Sequence, residues 1–130
     1  MKPLNIEGES LKEILAWPEH YFDELVLTDD PVVINIGSAE VLGQFAVKDG
    51  ELIVELAQID GGGEGVLPAV SRIAKRVAKI KSLKSIICIV HAINCAEPNL
   101  KLRAHLEKTG FEIESVPDKG IAYVKKIKVS

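Results

Sequence analysis

The chain of 130 residues is poor in aromatic side chains, which make up 5% of it, and it has only two cysteines. Val, Ile, Leu and Ala therefore have to supply most of the core. No apolar run approaches the roughly 20 residues that cross a bilayer, so no membrane role is expected. Two cysteines offer no disulfide framework and fit reduced thiols in a cytoplasm. The first residues also lack the apolar segment of a secretory signal, which favours the same cytoplasmic location.

The sequence has no excess of positive charge, since 16 basic and 19 acidic residues give a net charge of −3. Nucleic acid is not expected as a partner, because phosphate contacts need a basic face. No metal is expected, because His91, Cys95 and His105 do not form a set of three or four ligands at suitable spacing. The length fits a single domain over residues 1–130, either a monomer or a small oligomer such as a homodimer.

The first half of the chain predicts a short helical segment followed by a strand meander. Residues 1–30 contain an amphipathic pattern over 10–27, which Pro18 divides into two short helices. Three apolar strands are expected after it, and Asp49-Gly50 between the second and third is a strong hairpin signal. The predicted strands are Val32–Ile36, Glu40–Val47 and Leu52–Ile59.

The second half alternates helices with strands. Apolar residues at helical spacing predict a helix over Val66–Ile80, and the continuous apolar run Ser85–Val90 is typical of a strand covered on both faces. A second helix is expected over Asn99–Lys108, with Gly110 as its C-cap. Two strands close the chain, over Phe111–Val116 and Ile121–Lys128.

A glycine-rich loop, Asp60-Gly61-Gly62-Gly63-Glu64-Gly65, joins the meander to the first of these helices. Glycine lets a ligand approach the backbone, and the unpaired N–H groups of a helix start attract anions such as phosphate. A tight turn without a ligand explains the glycines equally well. The loop is not a Walker A element, since no Gly-Lys-Ser/Thr follows. It is not a dinucleotide-binding loop either, because a meander precedes it and His91 stands where that fold needs an acid.

Three motifs in order resemble the GNAT superfamily of acyl-CoA-dependent N-acyltransferases. In that family a central strand enters a loop of pattern Arg/Gln-x-x-Gly-x-Gly/Ala, and Gly63 and Gly65 match its small positions with Asp60 at the first. Asn99 stands eleven residues before Gly110-Phe111, as in the family. The final Ala122-Tyr123-Val124 is similar to the last strand of many members. The resemblance covers about residues 40–128.

The resemblance implies an α/β domain whose mixed, mostly antiparallel sheet is flanked by helices and splays near residues 52–59. It implies that acetyl-CoA is bound and that an amine is the acceptor. The residues expected to hold the coenzyme A pyrophosphate are Gly61, Gly62, Gly63, Glu64, Gly65 and Val66.

Two departures from the family bear on activity. Leu106 stands where many members have a tyrosine that reprotonates the thiol of coenzyme A, and leucine cannot donate a proton. Asp60 would repel a pyrophosphate. Two functions therefore remain open, an acetyl-CoA-dependent N-acetyltransferase and a GNAT-like scaffold that has lost catalysis and serves as a binding or assembly module.

Four side chains are the candidates for catalysis. Glu55, on the strand that enters the glycine loop, could deprotonate an attacking amine, although an outward polar position in an alternating strand explains it too. His91 and Cys95 follow the buried strand, and with Tyr123 they could reach the thiol. A nucleophilic Cys95–His91 pair is the weaker interpretation, since this region does not look helical.

Overall fold

The computed structural model describes residues 3–6, 8–25, 27, 30–36, 39–60, 66–91, 100–117 and 120–129. These residues form one seven-stranded sheet and four helices. In chain order the elements are β1 (Pro3–Ile6), α1 (Gly8–Leu15), α2 (Glu19–Leu25), β2 (Val32–Ile36), β3 (Ala39–Lys48), β4 (Glu51–Asp60), α3 (Val66–Ile80), β5 (Ser85–Val90), α4 (Leu100–Lys108), β6 (Glu112–Val116) and β7 (Gly120–Lys128).

The strands lie in the order β1-β2-β3-β4-β5-β7-β6. Two neighbouring pairs are parallel, β1 with β2 and β4 with β5, and the remaining pairs are antiparallel. This confirms the mixed, mostly antiparallel sheet and, from α1 onward, the order of helices and strands expected from the sequence. The strand β1 is a correction, because the N-terminal segment was expected to be helical only.

The local turn chemistry that the sequence predicts is present. Lys48 pairs with Glu51, and both residues between them have positive φ, 53° at Asp49 and 78° at Gly50. Two positive φ angles define the hairpin turn that matches the twist of a sheet. Gly110 has φ 97° directly after α4, as expected of a helix C-cap.

The central strands present two different faces. Leu52, Val54 and Leu56 of β4 are buried, and the buried Cys88 and Val90 of β5 lie beside them in the register. We call this the helix-covered face, because α3 packs on β4 and β5 and shares their core cluster. The alternate positions form the second face, and those of β4 (Glu51, Ile53 and Glu55) are only half-buried.

The strand β4 is irregular near its end. Leu42 pairs with Gln58 and Gly43 pairs with Leu56, so Ala57 is one extra residue, a β-bulge. A Cβ atom on Gly43 would lie 3.0 Å from Leu56 Cδ2 and 3.3 Å from the Glu55 carbonyl oxygen. Glycine at this position therefore lets β3 approach β4 closely where β4 bends.

The helices α1 and α2 pack on α3, and α1 also contacts the edge strand β1. They are separated at Pro18, as predicted from the sequence. The Lys81 ammonium lies 3.0 Å from Glu19 and 2.6 Å from Asp23, so it links α2 to the end of α3. Both carboxylates raise the pKa of Lys81. Within the part of the chain described, no helix is long and apolar enough to cross a membrane.

Candidate functional site

Two of the predicted catalytic side chains, Glu55 and His91, meet on the second face of the sheet. His91 Nε2 lies 2.7 Å from Glu55 Oε2, a hydrogen-bond distance. The His91 side chain is 22% exposed and the Glu55 side chain is 16% exposed. Both side chains are therefore largely buried, and a part of each remains in contact with solvent.

The parallel register of β4 and β5 brings the pair together. Glu55 lies beside Ile89, and His91 is two residues further along, on the same side of the pleat. The backbone N–H of His91 donates to the carbonyl of Leu56 at 2.9 Å, which fixes the histidine at the end of the ladder. Residues far apart in sequence thus form one compact acid–base group.

The ladder between β4 and β5 ends where this group lies. Leu56 is the last β4 residue that pairs with β5, whereas β4 remains paired with β3 as far as Asp60. Among the described strands, none pairs with residues 57–60 on the β5 side. In the part of the chain that is described, this edge of β4 thus runs from the Glu55–His91 pair to the start of the glycine loop without a strand partner.

The chemistry of the pair follows from the hydrogen bond. When Glu55 is ionised it can only accept, so Nε2 is then the donor of this hydrogen bond and Nδ1 is the acceptor nitrogen of the neutral imidazole. A carboxylate at this position can orient an imidazole ring, as the third group does in a catalytic triad.

A second carboxylate on the same face, Glu51, is already committed to other partners. The hydroxyl of Ser85 donates to Glu51 Oε2, and Lys126 Nζ lies 3.1 Å from the same oxygen. These two contacts lower the pKa of Glu51, with the Ser85 hydrogen bond as the larger cause. Lys126 thus compensates the charge of Glu51. Glu51 can therefore serve as a control position for Glu55 on the same strand.

Tyr123 does not join Glu55 and His91. It lies beside Val90 in the register, on the helix-covered face, and is fully buried. Its hydroxyl donates to Glu107 Oε1 at 3.0 Å and accepts from Arg103 Nε at 3.3 Å, both on α4. The structure therefore gives Tyr123 the role of fastening α4 to the sheet.

Leu106 stands where the family resemblance places a tyrosine, and it is also fully buried in the core cluster. It is a packing residue of α4, and its carbonyl accepts from Phe111 N–H at 2.9 Å.

The predicted coenzyme A loop, residues 61–65, lies outside the described residues, and so does Cys95. The residues on either side of the loop are described: β4 ends at Asp60, one residue beyond the predicted strand, and α3 begins at Val66, as predicted. The first turn of α3 carries no acidic residue. Its positive end is therefore not neutralised from within the helix, which fits an anion at this position. In the part of the chain that is described, no group of three or more His, Cys, Asp or Glu side chains could hold a metal ion.

The sequence alone did not link Glu55 to His91. Each residue was a candidate for its own reason, and only the register of the parallel strands sets them at contact distance. The available signal was the placement of His91, which directly follows the C-terminal end of a buried strand, where ligands bind in open sheets; Glu55 lies in the middle of β4.

The chain is similar to two solved structures. One is the PaiA N-acetyltransferase from Thermoplasma acidophilum in complex with coenzyme A, with a TM-score of 0.41 and 14% identity over 68% of this chain and 52% of that one. The other is Ard1 from Thermoplasma volcanium, with a TM-score of 0.40 and 15% identity over 69% of this chain and 63% of that one. The chain thus spans less than two thirds of either protein, and these are likenesses of fold alone. No protein-family model and no curated protein sequence matches the chain.

Proposed function

We propose that this GNAT-like domain transfers the acetyl group of acetyl-CoA to an amine, with Glu55 and His91 as its acid–base pair. The observation that carries the proposal is the 2.7 Å contact between Glu55 and His91 at the end of the β4–β5 ladder. Among the described residues, a carboxylate–imidazole pair, a strand edge without a strand partner and the approach to a helix start coincide here.

The cofactor site is proposed at residues 61–66, as the family resemblance implies. The backbone N–H groups of Gly61, Gly62, Gly63, Glu64, Gly65 and Val66 would face the pyrophosphate at the start of α3. The edge of β4 at 57–60 leads from there to His91, so a donor lying along it would present its thioester beside the acid–base pair. Backbone hydrogen bonds and positioning would supply much of the rate.

The proton path uses the same pair twice. The acceptor amine gives a proton to the Glu55–His91 pair as its nitrogen forms a bond to the acyl carbon. The carbon–sulfur bond breaks, and the imidazolium returns the proton to the departing sulfur. The products are an amide and a free thiol, so the proton and electron pairs balance. Because the imidazolium would protonate the sulfur, this mechanism needs no proton donor at position 106, where the family's tyrosine is replaced by Leu106.

A thiol-release assay with acetyl-CoA and a panel of amines tests the proposal. The panel contains alkyl diamines, a lysine peptide and a peptide with a free N-terminus. We expect His91→Gln to lower kcat by about 10²- to 10⁴-fold, which is the usual contribution of general acid–base catalysis. Glu55→Gln should lower kcat by a smaller factor, because the ring remains but loses its orienting carboxylate.

The matched control is Glu51→Gln, on the same strand and the same face but bonded to Ser85 and Lys126. We expect its kcat to stay near the native value. Native rates in both His91→Gln and Glu55→Gln would refute the assignment of the pair. Coenzyme A binding by calorimetry without turnover of any amine would instead favour a scaffold that has lost catalysis.

A further inference from the structure

An apolar cavity of about 170 Å³ lies on the helix-covered face, on the opposite side of the sheet from the Glu55–His91 pair. Its floor includes Leu56 of β4 together with Cys88 and Val90 of β5. Val70 of α3 and Phe111, which follows α4, form part of its walls. The cavity therefore lies between α3 and α4, over β4, β5 and β7.

Two polar side chains that line the cavity, Lys125 and Thr109, already donate hydrogen bonds to backbone carbonyl groups. Lys125 Nζ donates to the Thr109 carbonyl at 2.7 Å, and its ammonium lies 5.8 Å from the centre of the Phe111 ring. The Thr109 hydroxyl donates to the His105 carbonyl at 2.8 Å. A ligand in the cavity would thus meet mainly hydrocarbon, and burial would favour an apolar group over a polar one.

The cavity extends to the reacting end of the proposed site. Leu56 and Val90 both line it, and they form the last pair of the β4–β5 ladder. Glu55 and His91 are their immediate neighbours in sequence, and they point to the opposite face. A carbonyl carbon held at the end of the ladder would therefore have the acid–base pair on one side and the cavity on the other.

We infer that this cavity binds the hydrocarbon tail of the acyl donor, and that the preferred donor is a medium-chain acyl-CoA of about six carbons. The size follows from the volume, since an apolar protein cavity of about 150 Å³ accommodates benzene, a six-carbon ligand. The inference rests on the proposed acyl transfer, and it makes a longer acyl group than acetyl the preferred one.

The test is a comparison of acetyl-, butyryl-, hexanoyl-, octanoyl- and decanoyl-CoA with one amine. Each buried methylene contributes about fourfold in binding, so kcat/KM should rise by up to about two orders of magnitude from acetyl to hexanoyl. It should fall again at decanoyl, because the chain exceeds the cavity. A value of kcat/KM that is highest for acetyl-CoA and declines with every added carbon would overturn the inference.

Two variants that fill the cavity check its location. Cys88→Ile on the floor and Ser71→Leu on α3 should each lower the ratio of hexanoyl to acetyl turnover by about tenfold or more. The ratio within one protein is insensitive to partial unfolding, and two variants on different elements guard against one that fails to fold. The matched control is Ile87→Val, beside Cys88 in β5 but on the second face, which should keep the native ratio. An unchanged ratio in both filled variants would contradict the inference.

Calorimetry separates this inference from the proposed function. If no acyl-CoA is turned over, yet hexanoyl-CoA binds more tightly than acetyl-CoA and Cys88→Ile removes the difference, the cavity assignment stands and the transfer proposal fails. If acetyl-CoA is turned over but hexanoyl-CoA neither binds more tightly nor reacts faster, the transfer proposal stands and the cavity assignment fails.

Discussion

Replacing Leu106 by tyrosine tests whether the missing acid of the family can be restored on this scaffold. On sequence alone, Leu106→Tyr should supply the proton donor that α4 lacks. The structure predicts a different result, because Leu106 is fully buried and belongs to the core cluster. The added ring atoms have to be accommodated in a packed region, and the new hydroxyl has to find a partner there.

The expected cost can be estimated from these two effects. Overpacking a core costs about 1–3 kcal/mol. A buried hydroxyl without a partner costs about a further 1–3 kcal/mol. The sum, roughly 2–6 kcal/mol, is a large part of the total stability of about 5–15 kcal/mol that a domain of this kind has. We expect the Tm to fall by at least about 6 °C, at about 3 °C per kcal/mol for a chain of this length.

The assay is thermal unfolding followed by circular dichroism, together with thiol release at 25 °C. Leu106→Met is the control, because a swap that conserves volume costs less than about 1.5 kcal/mol. The Leu106→Tyr protein should be less stable and no faster than the native protein. A native Tm combined with a clear gain in turnover would refute the reasoning, since it would show that the tyrosine reaches the donor and that Leu106 is not tightly packed.

Two further predictions concern Cys88, on the floor of the cavity, and Gly43, beside the β-bulge. Burial raises the pKa of the Cys88 thiol to about 11, so only about one thiol in a thousand is ionised at pH 8. In a Cys95→Ser background, alkylation by iodoacetamide should therefore speed up about tenfold per pH unit between pH 8 and 10, and a plateau below pH 9 would show that the thiol is not desolvated. Gly43→Ala should lower stability by about 1–3 kcal/mol in urea titrations, because its Cβ would press on Leu56 and on the Glu55 backbone. Ala46→Ser on the same strand should change it much less, and equal effects would argue against close packing at the bulge.

Local signals in the sequence predicted most of the fold. Asp49-Gly50 and Gly110 were interpreted correctly because only certain backbone angles suit those turns, and the residue types report them directly. The apolar spacing of Val66–Ile80 likewise marks a helix whatever surrounds it. The strand β1 carries no such signal. It is four residues long and is defined by its pairing with β2, which is a tertiary contact.

The candidate site was predicted only in its parts. Glu55 and His91 were named from their strands, but their contact depends on the register between β4 and β5, which no local pattern encodes. The sequence placed Tyr123 in the last strand without revealing which face it occupies. The cavity was not predictable at all, because it arises from the spacing between α3 and α4 over three strands.

Along β4, the residues that pack the core alternate with residues that face the half-buried side. The core residues are Leu52, Val54 and Leu56, and the half-buried ones are Glu51, Ile53 and Glu55. A substitution in the second set therefore changes the chemistry of the half-buried side while leaving the packed side of the strand intact. If the proposed function holds, single substitutions on this strand can add or remove an acid–base group without disturbing the core residues on its other side.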